Sequence, residues 1–361
     1  MNDKKNILLC PIEWGLGHAG RMVPLAKRLQ ELNHNIFFGS GEKHLSFFRS
    51  EVPGANYIHF PGFRIVYSRY LPQYIIILLK SPVLLYHIIL EHKRLKRIIR
   101  DYSIDIVISD SRIGLWNSGI KTIFITHQLR IPFPEPFRFL EFIGIQINRL
   151  IIKKYTNCFI PDLCGELNIS GRLSHGLRLP TNVRYIGILS RLGGHFNDVC
   201  SRSDKCTVIL SGPEPQRSIL KQKLTKILLS EGKPAVMLEG KPGKTYESYT
   251  LNNIVYYNHL SAVETTKLLK ESDTLISRSG YTTIMELISL GSSALLIPTP
   301  GQTEQEYLAE YLSEKGWFRS LAQRDIDEHI AFPSTSSIIP AVIIEESGKL
   351  LEIALAELLE K

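Results

Sequence analysis

The 361-residue chain has few cysteines, and none of them are clustered. Its five cysteines, an odd number, form no CxxC pair, and histidines do not lie near them at the spacing of a metal site. Scattered thiols are typical of a reducing compartment, where disulfide frameworks are rare. We therefore expect neither disulfides nor a bound metal ion.

Long apolar runs are also missing. The most apolar region, residues 70–90, is interrupted by Pro72, Lys80 and Pro82, so each charge-free half is about half the length of a transmembrane helix. The apolar run near the start, NILL, is too short for the core of a secretory signal. We therefore expect a cytoplasmic protein.

Acidic residues are fewer than basic ones, and the net charge of +8 indicates an anionic partner. The basic run EHKRLKRIIR, residues 91–100, has no interleaved aromatic residues, and no RNA-binding motif is present. Nucleic acid is therefore not expected, which leaves a phosphorylated substrate or an anionic lipid surface.

Short apolar strands alternate with amphipathic helices almost throughout the chain. This alternation predicts an α/β fold with two doubly wound domains and mainly parallel sheets. We expect one domain over residues 1–186 and a second over 187–340. The helix predicted at 341–361 has no obvious destination in the sequence and could pack back on the first domain.

Ligands of open α/β sheets bind beyond the carboxyl ends of the strands, so the loops that follow strands are informative. The first such loop, GLGHAGR, contains Gly17 and His18; glycine lets the backbone approach a ligand closely. The histidine suits a general base, but it is equally compatible with a purely structural place at the helix start. Asp110 and His127 follow later strands of the same half, where Asp110 is equally compatible with a turn.

Three further loops lie in the second half of the chain. They read GPEPQR (212–217), SRSG (277–280) before the helix that carries Glu286, and TEQEY (303–307). Backbone amides at a helix start bind phosphate oxygens, and a carboxylate can accept both hydroxyls of a ribose. Taken singly, each loop is also compatible with an ordinary turn, and Glu286 with a solvated helix charge.

In this order, the motifs resemble those of the GT-B glycosyltransferases of family 28, which include the enzyme that forms lipid II. The resemblance is most specific over 273–312, through SRSG, GSSALLIPTP and TEQEY. It implies two Rossmann-like domains with parallel sheets that face each other across a cleft. It also implies a UDP-sugar donor, bound by the second domain without a metal or cofactor.

The resemblance also implies roles for individual residues. The first loop would bring Gly17 near the donor phosphates and His18 near an acceptor hydroxyl as its base. The expected donor contacts in the second half are Arg278, Ser279 and Gly280 at the diphosphate, Gly212 and Gln216 in a second phosphate loop, Glu286 at the ribose, Gln305 and Glu306 at the sugar, and Asn258, His259 and Leu260 at the base.

Two stretches of the first half, 74–100 and 139–155, are both apolar and basic. Such helices favour attachment to an anionic membrane surface, although helices that cover a parallel sheet are apolar as well. We expect a hexosyltransferase, metal-independent and inverting, that is peripheral on the inner face of the plasma membrane. Its acceptor would be lipid-linked or another glycan of the cell envelope. One alternative is a nucleotide-sugar hydrolase of the same fold, because the loop GLGHAGR also resembles the GxGHxxR loop of such an enzyme. The other is a non-catalytic nucleotide-sugar-binding protein.

Overall fold

The computed structural model describes residues 4–63, 79–133, 135–192, 203–241, 247–326 and 339–360. The chain divides into two compact units, one of Met1–Leu189 with Val342–Lys361 and one of Ser190–Ala341.

Buried apolar strands form the centre of each unit. The strands of the first unit are β1 (Asn6–Pro11), β2 (Asn35–Ser40), β3 (Asn56–His59), β4 (Ile106–Asp110), β5 (Lys121–Ile125), β6 (Asn157–Ile160) and β7 (Val183–Tyr185). Those of the second are β8 (Ser203–Ile209), β9 (Ala235–Leu238), β10 (Ser248–Leu251), β11 (Ile254–Tyr257), β12 (Ser272–Ser277), β13 (Leu295–Leu296) and β14 (Arg319–Ser320).

Helices follow most of these strands. They are α1 (Leu16–Glu31), α2 (Glu42–Glu51), α3 (Ser81–Asp101), α4 (Glu141–Ile152), α5 (Gln216–Glu231), α6 (Ala262–Glu271), α7 (Tyr281–Ser289), α8 (Thr303–Glu314) and α9 (Val342–Leu359). Within the described ranges, no helix is long and apolar enough to cross a membrane.

Each unit contains a seven-stranded sheet in the part of the chain that the structure describes. The strand orders are β3-β2-β1-β4-β5-β6-β7 and β10-β11-β9-β8-β12-β13-β14. Every recorded pairing is parallel except that of β10 with β11. The predicted α/β class with two mainly parallel sheets is therefore confirmed.

Helix α9 belongs to the first unit, although it follows the whole of the second in sequence. Its Leu355 and Leu358 lie in the same apolar cluster as Leu25 of α1. Its last turn is bound through backbone carbonyls: Lys5 Nζ donates to the carbonyl of Leu359 at 2.7 Å, and Lys121 Nζ to that of Leu358 at 3.0 Å. Lysines at this end also complement the negative end of the helix dipole.

The observed elements depart from the predicted ones at several places. Strands β10 and β14 were not predicted, because they are short and exposed at the two edges of the second sheet. Helix α2 was not predicted because it is short. The apolar and basic stretches 74–100 and 139–155 are occupied by α3 and α4, and each helix begins after the start of its stretch. Residues 74–78 of the first stretch lie outside the described residues.

Candidate active site

Three neighbouring strands of the first sheet bring polar side chains to one edge. The first turns of α1, immediately after β1, carry His18 and Arg21; Asp110 is the last residue of β4, and His127 follows β5 by two positions. Because β1, β4 and β5 are adjacent and parallel, their carboxyl ends meet at the same edge. The structure thus brings together the three residues that the sequence analysis singled out, and adds Arg21.

Arg21 is at the centre of this cluster. Its Nε and Nη2 donate to the two carboxylate oxygens of Asp110 at 2.6 and 2.5 Å. His18 Nδ1 lies 2.7 Å from Arg21 Nη2 and 3.1–3.2 Å from the Asp110 oxygens, and His127 Nδ1 lies 3.3 Å from Arg21 Nη1. The side chains of Arg21 and Asp110 are 1% and 0% exposed, whereas that of His18 keeps 21%.

The charges of the cluster follow from these contacts. Burial alone would raise the pKa of Asp110, but the Arg21 charge and the contacts with His18 hold it well below its usual range. Burial and then the Arg21 cation lower the pKa of His18, against the opposing effect of Asp110. At neutral pH, Asp110 is therefore a carboxylate and His18 a neutral imidazole.

A neutral imidazole that contacts a buried carboxylate and is partly accessible can exchange a proton with a bound molecule. In the described parts of the chain, His18 makes its hydrogen bonds through Nδ1, so Nε2 is the atom available to a substrate. The sequence analysis gave Arg21 no role. The signal that could have found it is its spacing: it follows His18 by three positions, one turn along the same face of α1.

In the second unit, Ser279, predicted at the diphosphate, and Gln305, predicted at the donor sugar, stabilise a loop. Ser279 Oγ donates to the carbonyl of Gln305 at 2.7 Å, which joins the start of α7 to α8. Gln305 Oε1 accepts from the backbone amide of Thr299 at 2.9 Å, and its Nε2 donates to Gln302 Oε1 at 2.6 Å. The ends of β12 and β13 are thereby held together at the carboxyl edge of the sheet.

Glu306 and Gly212 lie at the same edge. Glu306 Oε1 accepts from the backbone amide of Gly301 at 2.9 Å. Gly212 follows β8 at a φ of 91°, where a Cβ would lie 3.3 Å from Thr299 Oγ1. Gly280 also lies at this edge, where it is the N-cap residue of α7. The phosphate and sugar loops predicted from the sequence are thus neighbours in the fold.

Arg278 is fully buried beneath these loops. Its Nη1 donates to the carbonyls of Ile297 and Pro298, and its Nη2 donates to the carbonyl of Gln216 and to Gln323 Oε1, at 2.6–3.2 Å. Burial lowers the pKa of Arg278 to about 10, so the side chain is still cationic at neutral pH. In this conformation its guanidinium holds protein carbonyls, and its contact with a diphosphate stays a prediction.

The predicted ribose and base contacts also have protein partners. Glu286 Oε1 accepts from Arg191 Nε at 2.9 Å. Asn258 Oδ1 accepts from the backbone amides of Glu247 and His259, which fixes the loop after β11 that continues to Leu260. Gly17, the remaining predicted donor contact, lies in the first turn of α1, in the first unit. The ligand roles of all these residues stay predictions.

Comparisons with known proteins agree with this architecture. Residues 216–331 match the glycosyltransferase family 28 C-terminal domain. An uncharacterized glycosyltransferase of Methanosarcina acetivorans is 25% identical over 334 residues, covering 85% of this chain and 83% of its own length. The UDP-N-acetylglucosamine–N-acetylmuramyl-(pentapeptide) pyrophosphoryl-undecaprenol N-acetylglucosamine transferase of Oenococcus oeni is 35% identical over 74 residues, 20% of each chain.

Solved structures match over nearly the whole chain. The spinosyn forosaminyltransferase SpnP has a TM-score of 0.63 at 13% identity, over 99% of this chain and 100% of its own. The Streptomyces sp. SF2575 glycosyltransferase SsfS6, complexed with thymidine diphosphate, has a TM-score of 0.51 at 14% identity, over 98% and 96%. Acinetobacter baumannii MurG has a TM-score of 0.51 at 12% identity, over 99% and 93%.

At these identities, the solved structures establish the fold, and the family match concerns the second unit. Both agree with the sheets and loops described above. The chain has the GT-B fold, and residues 216–331 of its second unit match the C-terminal domain of glycosyltransferase family 28.

Proposed function

We propose that the protein transfers a hexose or N-acetylhexosamine from a UDP-sugar to an acceptor hydroxyl, with inversion and without a metal ion. The observation that carries the proposal is the cluster after β1, where a neutral and partly accessible His18 contacts the buried carboxylate of Asp110. A protein that only binds a nucleotide sugar has no need of such a pair.

In this mechanism, the acceptor hydroxyl attacks the anomeric carbon as the bond from that carbon to the diphosphate oxygen breaks. The hydroxyl proton passes to His18 Nε2, and Asp110 stabilises the imidazolium that forms, 3.1–3.2 Å from Nδ1. The departing diphosphate takes the negative charge. Backbone amides at the start of α7, beside Ser279 and Gly280, would stabilise it, with the buried charge of Arg278 behind them.

A nucleotide-sugar donor is supported by the family match over residues 216–331 and by the thymidine diphosphate complex of a protein with the same fold. In the proposed complex, the ribose hydroxyls donate to the Glu286 carboxylate. This carboxylate either keeps its hydrogen bond with Arg191 or exchanges it for the ribose. Gln305 and Glu306 contact the sugar from the start of α8.

The proposed acceptor is lipid-linked and is used at an anionic membrane surface. Helix α4 supports this, because Phe142, Ile143, Ile147 and Leu150 are 52–65% exposed while Ile152 is buried. The predicted alternative, that these side chains cover the sheet, thus applies to Ile152 and not to the other four. Lys153 and Lys154 at the end of the helix are exposed and would face anionic lipid.

The proposal is tested by measuring nucleotide release from a panel of UDP- and TDP-sugars, with and without polyprenyl phosphate acceptors and other glycans. We expect release from one donor that depends on the acceptor. The GxGHxxR arrangement of residues 15–21 favours hydrolysis as a second candidate. Full release of free sugar without an acceptor would establish hydrolysis and contradict the transferase.

The His18→Gln variant separates chemistry from binding. Loss of a general base lowers kcat about 10²- to 10⁴-fold, while the Kd for UDP should be unchanged. His59→Gln is the matched control, because His59 is exposed at the end of β3 in the same unit. If His18→Gln keeps a normal kcat, the base must be sought elsewhere in the chain.

A further inference from the structure

Arg21 contacts every other member of the candidate active site. Its guanidinium binds both oxygens of Asp110 and lies 2.7 and 3.3 Å from the Nδ1 atoms of His18 and His127. The side chain is 1% exposed, so these contacts are shielded from solvent. The sequence analysis assigned it no function, and the proposed mechanism does not use it.

A guanidinium has only hydrogen-bond donors and stays protonated in proteins. A ring nitrogen that is hydrogen-bonded to it is therefore an acceptor and carries no proton, whereas one that is hydrogen-bonded to the Asp110 carboxylate must carry one. The Nδ1 atom of His18 is within reach of both groups, so the shorter contact indicates its partner. The Arg21 Nη2 contact with His18 Nδ1, at 2.7 Å, is shorter than either contact of Nδ1 with Asp110, at 3.1 and 3.2 Å. A neutral imidazole has one proton, so that of His18 lies on Nε2.

We propose that Arg21 is a positioning residue that holds His18 as its Nε2–H tautomer in the unliganded protein. The Nδ1 atom of His127 lies 3.3 Å from Nη1 of the same guanidinium. The tautomer assignment stands on contact geometry alone, and its consequence for catalysis rests on the proposed function.

The consequence concerns which form of His18 can accept a proton. In the Nε2–H form, His18 donates a hydrogen bond to a ligand oxygen and cannot take a proton at that atom. The base requires the other tautomer, in which Nδ1–H donates to Asp110 and Nη2 of Arg21 has moved away from Nδ1. Arg21 thus controls how much of the protein is competent as a base.

The test is a long-range ¹H–¹⁵N spectrum of the ¹⁵N-histidine-labelled full chain at pH 7.5. The His18 signals are assigned from their loss in His18→Gln. We expect the wild type to show the Nε2–H pattern for His18. In Arg21→Gln, we expect the Nδ1–H pattern, because the cationic donor to Nδ1 is gone and the Asp110 carboxylate can accept the Nδ1 proton. An Nδ1–H pattern in the wild type would overturn the proposal, whether or not the variant folds.

Arg28→Gln is the matched control, because Arg28 lies on the same helix and pairs with Glu352 on the exposed surface. It should leave the His18 signals unchanged. Arg21→Lys keeps the charge without the planar donor pair, so we expect a mixture of the two tautomers. A His18 pattern that is the same in Arg21→Gln and the wild type would also contradict the proposal.

The pH profile of kcat/KM gives a second readout. The groups that face His18 are Arg21 from α1, Asp110 from β4 and His127 after β5. Loss of the Arg21 cation leaves Asp110 as the dominant charge, so the acidic limb of the profile should move to higher pH in Arg21→Gln. An unmoved acidic limb would contradict the proposal. If no transfer is found with any donor, the proposed function fails, whereas the spectrum still decides the tautomer.

Discussion

At the scale of single residues, the fold determines how the side chains after β1, β4 and β5 combine. The sequence could place His18 and Asp110 at strand ends, because each follows a short apolar run. It could not show that β4 lies directly beside β1, with 94 residues between the two strands. The role of Arg21 depends on that adjacency, which explains why His18, Asp110 and His127 were identified from the sequence and Arg21 was not.

Burial has a similar effect at Arg278. The SRSG motif indicated a phosphate contact, but the sequence could not show that four protein acceptors surround the guanidinium. Whether a residue points into its own domain or towards a ligand depends on the neighbouring loops, here those after β13 and at the start of α5.

The pH dependence of the free energy of unfolding should reflect the lowered pKa of His18. The folded pKa lies below the value of about 6.5 in the unfolded chain, so the unfolded chain binds the proton first as pH falls. The contribution of His18 is therefore complete above that pH and is lost as the pH drops through the interval below it. We expect the free energy of unfolding to fall between pH 7.5 and 5, and to fall less in His18→Gln.

Urea unfolding followed by tryptophan fluorescence measures this difference. His34 and His92 also have lowered pKa values, but they are present in both proteins and cancel in the comparison. His59→Gln serves as the control and should follow the wild type. Equal pH dependence in the His18→Gln and wild-type proteins would show that His18 is not held neutral by its surroundings.

At the scale of elements, α7 follows the SRSG motif and carries Glu286, the residue proposed to bind the ribose of the donor. Its Glu286 accepts from Arg191, which the structure places on the segment that precedes the second sheet. If ribose hydroxyls use the same carboxylate, Glu286→Ala loses hydrogen bonds to a charged group, worth about 1.5–3 kcal/mol. We expect UDP to bind at least about tenfold more weakly, as measured by calorimetry.

Glu310→Gln is the control for this variant, because Glu310 is exposed further along α8. It should bind UDP like the wild type. A folded Glu286→Ala protein with wild-type affinity for UDP would remove Glu286 from the donor site and leave its pair with Arg191 as a purely structural contact.

Substitutions in helix α4 test the proposed attachment to a membrane surface. Replacing Phe142 and Ile147 together by Ser removes two large exposed apolar side chains without disturbing the buried Ile152. We expect weaker co-sedimentation with vesicles that contain anionic lipid, and binding that declines at high salt. Ile353→Ser is the control, since Ile353 is equally exposed on α9 of the same unit.

Absence of vesicle binding by the wild type, with or without anionic lipid and at any salt concentration, would contradict attachment through this helix. The amphipathic pattern alone could not decide the matter. Apolar side chains on most sides of 139–155 predicted extra exposed surface, but only the packing of α4 shows which of them the sheet covers.

At the scale of the whole molecule, the alternation of strands and helices was sufficient to predict two mainly parallel α/β sheets. Periodicity reveals which segments are buried, and parallel strands require helices between them. The strand order and the antiparallel β10 could not be predicted, because both depend on pairings between distant segments. The packing of α9 on the first unit was left open by the sequence for the same reason.

At Gly187, the backbone of the first unit lies very close to the backbone of α9. Gly187 follows β7 at a φ of 72°, and a Cβ there would lie 2.3 Å from the Cα of Ser347 in α9. The next residue supports the contact, because the amide of Ile188 donates to Ser347 Oγ at 3.1 Å. Since the obstacle is backbone, a methyl group at this position must push the helix away from the sheet.

We therefore expect Gly187→Ala to lower the free energy of unfolding by more than about 3 kcal/mol and to expose α9 to proteolysis. Gly176→Ala separates this clash from backbone strain, because Gly176 has a φ of 69° in the same unit with no atom within 4 Å of its Cβ position. That control should lose only about 1–2 kcal/mol. Urea unfolding and limited proteolysis measure both variants, and equal losses would show that α9 does not depend on the close approach at Gly187.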